Sequence, residues 1–526
     1  MPATLFQQNR GIKLLAVLPT VFVFAFVVVP VGNILVTSLK FESLKILKSE
    51  TILNVVWFTT WQAIISTIAS LVIALPIAAV IANFKFRSQR LIISLISVPF
   101  ILPSIVVGAA FLQVLPNSFH RTAFALILAH TYFNFGFAAR IIGARWLQIH
   151  PHLDDAARTL GASPRQVFTS ITLKLLGKVI LNSALVVFTL CFTSYGVVRI
   201  LGGPSRSTIE TEIYFRAMQL GDVSGALVLS LLQICVISIA FLLISSTRRT
   251  NRLQIINTTI SRQRLINKTS QKLAISTICL MSIAFALVPI LAIFRKSLIS
   301  NSSLSTNAWR EVLSNTRVLQ SLTTSLGYAV VTILIATTIA LLAASSLAYN
   351  KNFRFISALT SLPILVSAVS IGLGIIVTFD TQPFNWRGSQ MMLPIAHALV
   401  ALPLAIRAIT PVLNDIPDSL RQASSVLGAT NWQVWRTIDF KIVRRAIIVA
   451  AAISAAVSLG EFGASSFLVR RNSETLPVTI SRLLSRPGDI LQSQGYALAS
   501  LLIIFSIIVI FVIDKFSTTE SANSRA

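Results

Sequence analysis

Glu461 is the outstanding acid within the apolar runs of this chain, set between Gly460 and Gly463. A carboxylate in apolar surroundings is expensive and turns toward a cavity or a partner. Its chemistry would be electrostatic: attraction of a cationic solute, or pairing with a base such as Arg407. His130 and His397 also lie inside apolar runs. Hydrogen bonds between helices account for them as well as proton transfer or metal binding would, and two isolated histidines are no ligand cluster. Arg140 and Arg407 stand near the ends of such runs, where long basic side chains snorkel toward headgroups. Covalent chemistry finds no support. The sequence has no G-x-x-x-x-G-K-[ST], H-E-x-x-H or G-x-S-x-G pattern. Its three cysteines, Cys191, Cys235 and Cys279, fall singly in apolar runs without the paired spacing of a zinc site. The chain is read as no enzyme, with no metal or cofactor of its own.

The elements that carry these residues are membrane helices. Hydrophobic residues make up 54% of the chain and charged ones 12%, and the mean hydropathy of +0.79 excludes a soluble domain. Residues 14–39 already exceed the roughly 20 needed to cross a bilayer. Eleven further candidates follow at 55–83, 91–115, 122–144, 178–198, 223–247, 273–294, 318–349, 355–379, 391–413, 446–469 and 495–513. Barrel-type alternation is absent, so an all-α polytopic protein of about twelve spans is expected. The first run is too long for a signal-peptide core and has no small-x-small site before Lys40, which makes it a retained anchor.

One segment occurs twice. Asp155-Ala156-Ala157, Gly161, Ile171 and Leu173 recur at one constant offset as Gln422-Ala423-Ser424, Gly428, Ile438 and Phe440. The same offset carries His130 to His397, Arg140 to Arg407 and Ser194 to Glu461. Each copy predicts a helix stopped at a glycine that supplies positive φ. Ser163 and Thr430 then act as N-caps, with Gln166 and Gln433 three residues later completing capping boxes. The apolar stripes Val167, Phe168, Ile171, Leu175 and Val434, Trp435, Ile438, Ile442 predict a second helix running back to the membrane.

The repeat divides the chain into a six-span domain at 1–247, a basic linker at 248–272 and a second six-span domain at 273–526. An even number of spans per half makes the repeat parallel, with a solute path between the halves. A net charge of +27 would suggest nucleic acid in a soluble protein. Here the loops on one side hold the larger share of the Lys and Arg residues, including Lys85, Arg87, Arg90, Arg248, Arg249, Arg252, Arg262 and Arg264. That is the positive-inside bias of a multi-pass cell-membrane protein with both termini cytoplasmic and anionic lipid as its partner. The repeated segment scans like a DNA-binding helix-turn-helix, but its tethering to spans on both sides argues against nucleic acid. The outer loops 199–222 and 470–494 are long enough to touch an extracytoplasmic partner.

The duplicated segment resembles the EAA loop of permease subunits of ATP-binding-cassette importers. There Glu-Ala-Ala and a later Gly precede Ile-x-Leu-Pro. Asp155 replaces Glu and Lys174 replaces Pro in the first copy; Gln422, Ser424, Phe440 and Lys441 are the departures in the second. The resemblance implies that each loop forms a coupling helix docked on a cytoplasmic ATPase dimer, where ATP is bound, and that an extracytoplasmic binding protein delivers the solute. Residues 129–134, 190–196, 202–204, 208–210 and 459–463 make the fused chain most similar to thiamine and ferric-iron importer permeases. On that reading Glu461, Ser194, His130 and His397 are candidates for the translocation path of a small cation. A twelve-span ion-coupled transporter is the competing architecture. The short, Gly- and Asp-poor loop 84–90 and the repeated cytoplasmic segments argue against it, and no channel selectivity motif is present.

Overall fold

The computed structural model describes residues 10–39, 44–249, 263–266, 268–300, 303–349, 354–380, 386, 389–470 and 473–517. Arg252, Arg262 and the two chain ends, for which a side of the membrane was expected, lie outside the described residues. Among the described residues, ten helices are long and apolar enough to cross a bilayer, and two further helix pairs qualify together but bend sharply. The straight ones are Leu15–Ser38, Glu50–Asn83, Ala123–Leu147, Pro164–Phe192 and Val223–Ser245 in the first half. The second half has Thr269–Ser297, Thr316–Tyr349, Met392–Asn414, Asn431–Gly460 and Asp489–Phe516. Helices dominate because a spanning helix satisfies every backbone group internally. Pro19, Pro76, Pro289 and Pro403 sit inside spans, where the packed surroundings tolerate them.

The expected straight spans at 91–115 and 355–379 are instead the bent pairs Gln89–Ile101 with Ser104–Val114 (101°) and Phe355–Leu365 with Ala368–Phe379 (100°). The causes are local. Leu102 precedes Pro103, which pushes it into extended backbone and ends the helix. In the second half Val366 is extended and Ser367 caps the next helix by accepting Ser370 N–H at 3.1 Å.

Phe84–Lys85 forms a two-residue parallel strand pairing with Arg264–Leu265, and Arg264 bonds Asp155 at 3.2 Å. The start of the first pair thus shares a face with the first glycine-turn segment. At the far end the Arg121 side chain packs on Gly203. In the second pair Thr378 meets Asn33, near the end of Leu15–Ser38, at 3.4 Å. Counted as one broken span each, the pairs bring the candidate crossings among the described residues to twelve. The predicted fifth and eleventh spans also shift: each begins in the glycine-turn segment and stops at Phe192 or Gly460.

Packing interleaves the halves. Leu15–Ser38 lies on Thr316–Tyr349 and Ala368–Phe379 of the second half, with Phe26 and Phe379 rings 5.5 Å apart. Thr269–Ser297 returns the arrangement, lying on Gln89–Ile101 and Ser104–Val114. Tyr132, fully buried, donates to Ala286 O at 3.0 Å and packs edge-on against Phe111 and Phe285. The tightest approach in the first half is at Gly136, where a Cβ would sit 1.7 Å from the Ile96 carbonyl oxygen. Outward side chains such as Val72, Leu242, Leu280, Leu334 and Phe511 are exposed and apolar, the surface a bilayer covers.

Candidate functional site

Two regions carry chemistry: the two glycine-turn segments, and a cavity between the halves.

In the first segment His152–Thr159 ends at Gly161, whose φ of +86° only glycine adopts without strain; Gly428 repeats it at +83°. Both capping boxes form with matching distances. Gln166 N donates to Ser163 Oγ at 3.3 Å and Ser163 N to Gln166 Oε1 at 2.8 Å; Thr430 and Gln433 give the same pair. Each second helix then passes through one π-turn, Phe168–Thr172 and Trp435–Asp439, straight into its span. Such π-turns are concentrated at functional sites. The tips are apolar and bare: Leu160 is 89% exposed, and Val426 and Leu427 are each 87% exposed. These leucines lie beyond the membrane-spanning stretches, on a polar turn, where an exposed apolar group marks a contact surface.

The segments are anchored differently. Asp155 in the first is half-exposed and pairs with Arg264. In the second, the buried guanidinium of Arg421 donates to Asp439 Oδ1 at 3.0 Å, Asp418 Oδ1 at 3.3 Å and Leu413 O at 3.2 Å, and sits 5.2 Å from the centre of the Tyr349 ring. Tyr349 donates its hydroxyl to Asp439 Oδ2 at 2.6 Å. This cluster bolts the second segment to Thr316–Tyr349; the repeat gives the first half Asp154 and Thr172 in place of Arg421 and Asp439, and Asn83 ends Glu50–Asn83 where Tyr349 ends Thr316–Tyr349. Ala156, Ala157, Ile171, Leu173 and Gln422, Ala423, Ser424, Ile438, Phe440 lie on the two arms of these turns.

A cavity of about 190 Å³ is lined by Ser194, His130 and Glu461, together with Glu210 and Asn134. Two aromatic rings face each other across the halves beside it: Tyr195 and Phe462, with centroids 5.0 Å apart. His397 is not among its lining residues. It is fully buried behind Glu461, 3.6 Å from that carboxylate, with hydrogen bonds of 2.9 Å to Ser458 and Ser465. Glu461 itself is heavily engaged. Its oxygens accept Ala464 N at 3.1 Å and Ser465 N at 3.0 Å, capping the short helix Gly463–Leu468. Its neighbour is His397 rather than the Arg407 considered from sequence.

Glu210 was hidden to sequence reading because it lies in the stretch expected to be an outer loop. The structure makes that stretch the helix Ile209–Phe215, with Ile209, Glu210 and Ile213 fully buried. Ile209 N donates to Thr59 Oγ1 at 3.0 Å, and the equivalent Leu476 N donates to Ser325 Oγ at 2.7 Å. The apolar pair Ile209 and Ile213, one helical turn apart after the capping threonine Thr208, was the available signal.

Comparison with known proteins fits this architecture. Residues 74–249 match the family of binding-protein-dependent transport system inner membrane components. The thiamine transport system permease protein ThiP of Brucella suis is 25% identical over 481 residues, covering 87% of this chain and 86% of that protein. ThiP of Haemophilus influenzae is 26% identical over 451 residues (81% and 82%), and that of Escherichia coli 22% over 488 residues (88% of each). With its two like halves, paired glycine-turn loops and similarity along most of its length, the chain resembles the fused, two-domain permease subunits of binding-protein-dependent ATP-binding-cassette importers.

Proposed function

We propose that this chain forms the membrane path of an ATP-driven importer for a small organic cation of the thiamine class. The two glycine-turn segments face the cytoplasm and dock on an ATPase dimer, and a binding protein delivers solute on the opposite side. The observation that carries the reading is the duplicated segment: the same turn, capping box and π-turn, with Leu160 and Leu427 bare at the equivalent tips. A short capped turn continuous with a span transmits a push as rotation of the half it belongs to. For the solute, support comes from the thiamine-transport relatives and from a cavity lined by two carboxylates beside the Tyr195–Phe462 ring pair. Carboxylates and ring faces together suit an organic cation better than ferric iron. Among the described residues no group of three His, Cys, Asp or Glu side chains is disposed to hold a metal.

The test is uptake into proteoliposomes holding the chain, its ATPase and its binding protein. Thiamine uptake that requires ATP is expected. Gly161→Pro with Gly428→Pro, forcing φ near −65° where the backbone needs about +85°, should cut it by about 100-fold. Uptake driven by an ion gradient without the ATPase would replace this reading with an ion-coupled transporter.

The docking half of the proposal has its own check. Leu160→Asp and Leu427→Asp, both on open turns, should leave the permease folded and weaken ATPase binding by about tenfold or more each, read by co-purification or surface plasmon resonance. Unchanged affinity in both would remove these tips from the interface.

A further inference from the structure

The cavity between the halves has a hydrogen-bonding bias that its residue types alone do not reveal. Gln62 donates its amide to Thr59 O at 3.2 Å and Cys191 O at 3.4 Å, so its Oε1 is the atom facing His130 Nδ1 at 3.1 Å. That contact requires the proton on Nδ1 and leaves Nε2 as a lone pair. Asn134 spends its amide N–H groups on His130 O at 2.9 Å and Cys191 Sγ at 3.4 Å, leaving Oδ1 as an acceptor. Glu210 Oε1 accepts Gln233 Nε2 at 2.6 Å, and the Ser367 hydroxyl of the second half lies beside the carboxylate, while Oε2 has no partner within hydrogen-bond geometry. All three leftover atoms, His130 Nε2, Asn134 Oδ1 and Glu210 Oε2, are buried, unpaired and on residues that line this cavity. His130 Nε2 and Asn134 Oδ1 are acceptors, and Glu210 Oε2 is one in the ionised form that a bound cation favours. Buried acceptors left unmatched are costly, and a ligand that supplies donors recovers that cost.

The two carboxylates are not alike. Both Glu461 oxygens accept from the helix it caps, whereas Glu210 Oε2 has no partner within hydrogen-bond geometry. Nor are they related by the repeat: Glu461 corresponds to Ser194, and Glu210 to Pro477. The helix carrying Glu210 is also a partition. Thr211, Glu212 and Phe215 on it line a larger cavity of about 800 Å³, while Glu210 lines the smaller one.

We propose that Glu210 is the counter-charge of an occluded solute site, where it and the acceptors Asn134 and His130 select a cation bearing N–H donors. An aminopyrimidine-bearing cation such as thiamine belongs to this class. The proposal deepens the solute reading above and rests on it. The asymmetric placement of the acids suits a solute with one charged end, because a pseudo-symmetric pair of carboxylates would favour a symmetric dication.

The experiment uses the assembled permease–ATPase complex with Ser194→Cys as a reporter in the cavity wall, labelled by a maleimide in the presence of thiamine, oxythiamine (an oxo group replacing the amine), putrescine, ferric citrate or glucose. Thiamine is expected to slow labelling by about tenfold, oxythiamine much less, and glucose not at all. Adding Glu210→Gln should abolish the protection, and Glu210→Asp should restore part of it. Asn134→Leu, which keeps the charge but removes an acceptor, should narrow the gap between thiamine and oxythiamine. If thiamine is neither transported nor protective but putrescine protects in a Glu210-dependent way, the solute assignment fails and the Glu210 site stands. Protection that survives Glu210→Gln, protection by ferric citrate alone, or protection by no cation would overturn it. A Glu210→Gln complex that does not assemble leaves the decision to Asn134→Leu, where equal protection to the parent by both thiamine and oxythiamine counts against the proposal.

Discussion

Asp439→Asn should destabilise the protein by about 3–5 kcal/mol, more than any surface change in the same segment. Asp439 is 1% exposed and accepts both the Arg421 guanidinium and the Tyr349 hydroxyl. Removing its charge leaves a buried guanidinium whose other carboxylate partner, Asp418, is largely exposed and screened. Thermal unfolding in detergent measures the loss. The double variant Arg421→Met with Asp439→Leu should regain most of it, because a well-packed apolar pair replaces a buried ion pair at little net cost. The two variants also separate stability from transmission. If the cluster holds the second segment to Thr316–Tyr349 for coupling, the double variant is stable yet still transports less per ATP hydrolysed. Melting of Asp439→Asn within about 0.5 kcal/mol of the parent would show that the cluster does not bolt the segment down.

Gly136→Val is the second large effect. A Cβ at this position would overlap the Ile96 carbonyl oxygen at 1.7 Å and its carbon at 2.7 Å, both backbone atoms that no rotamer change can move away. The helices Gln89–Ile101 and Ala123–Leu147 must separate, opening the wall behind Phe135 and Tyr132. Overpacking of this kind typically costs about 1–3 kcal/mol, and backbone contact places this variant at the upper end or beyond. Gly177→Ala is the matched control. Nothing lies within 4 Å of a Cβ there, and in a helix interior the change should stabilise by about 0.5–1 kcal/mol. Expression and melting temperature of the two variants compare the close approach directly with generic glycine replacement. Equal melting would mean the helix pair yields without cost.

What the sequence made legible was local. The glycine turns, the Ser163 and Thr430 caps and the apolar stripes each depend on residues within a few positions, so spacing alone placed them. The ten long apolar helices and the two bent pairs were legible as apolar runs because hydropathy integrates over a whole span. Direction is not in hydropathy, so the bends near 101° and 100° were missed, although Leu102-Pro103 carried a readable break. The site was half legible. Glu461 announced itself as an acid in an apolar run, yet the structure spends its oxygens on a helix N-terminus. Glu210 hid in a polar stretch, and only tertiary folding carried its short helix between the halves. Arg421 and Asp439 were unreadable as a pair because the glycine turn between them, not their spacing, brings them together.

The exchange of opening helices has a consequence for the order in which the protein is made. Leu15–Ser38 rests on Thr316–Tyr349 and Ala368–Phe379, which leave the ribosome far later. At about 5–20 residues per second, nearly three hundred intervening residues mean a wait of roughly 15–60 s with only its first-half neighbour, Val223–Arg249, to join it before these two are made. The helix is suited to waiting: Leu15–Ser38 carries no charged residue, and Val17, Val21, Phe24 and Val36 stay outward-facing even in the finished fold. Biogenesis of the first half is thus completed by the second, and the early span is a lodger in the bilayer until its place is built.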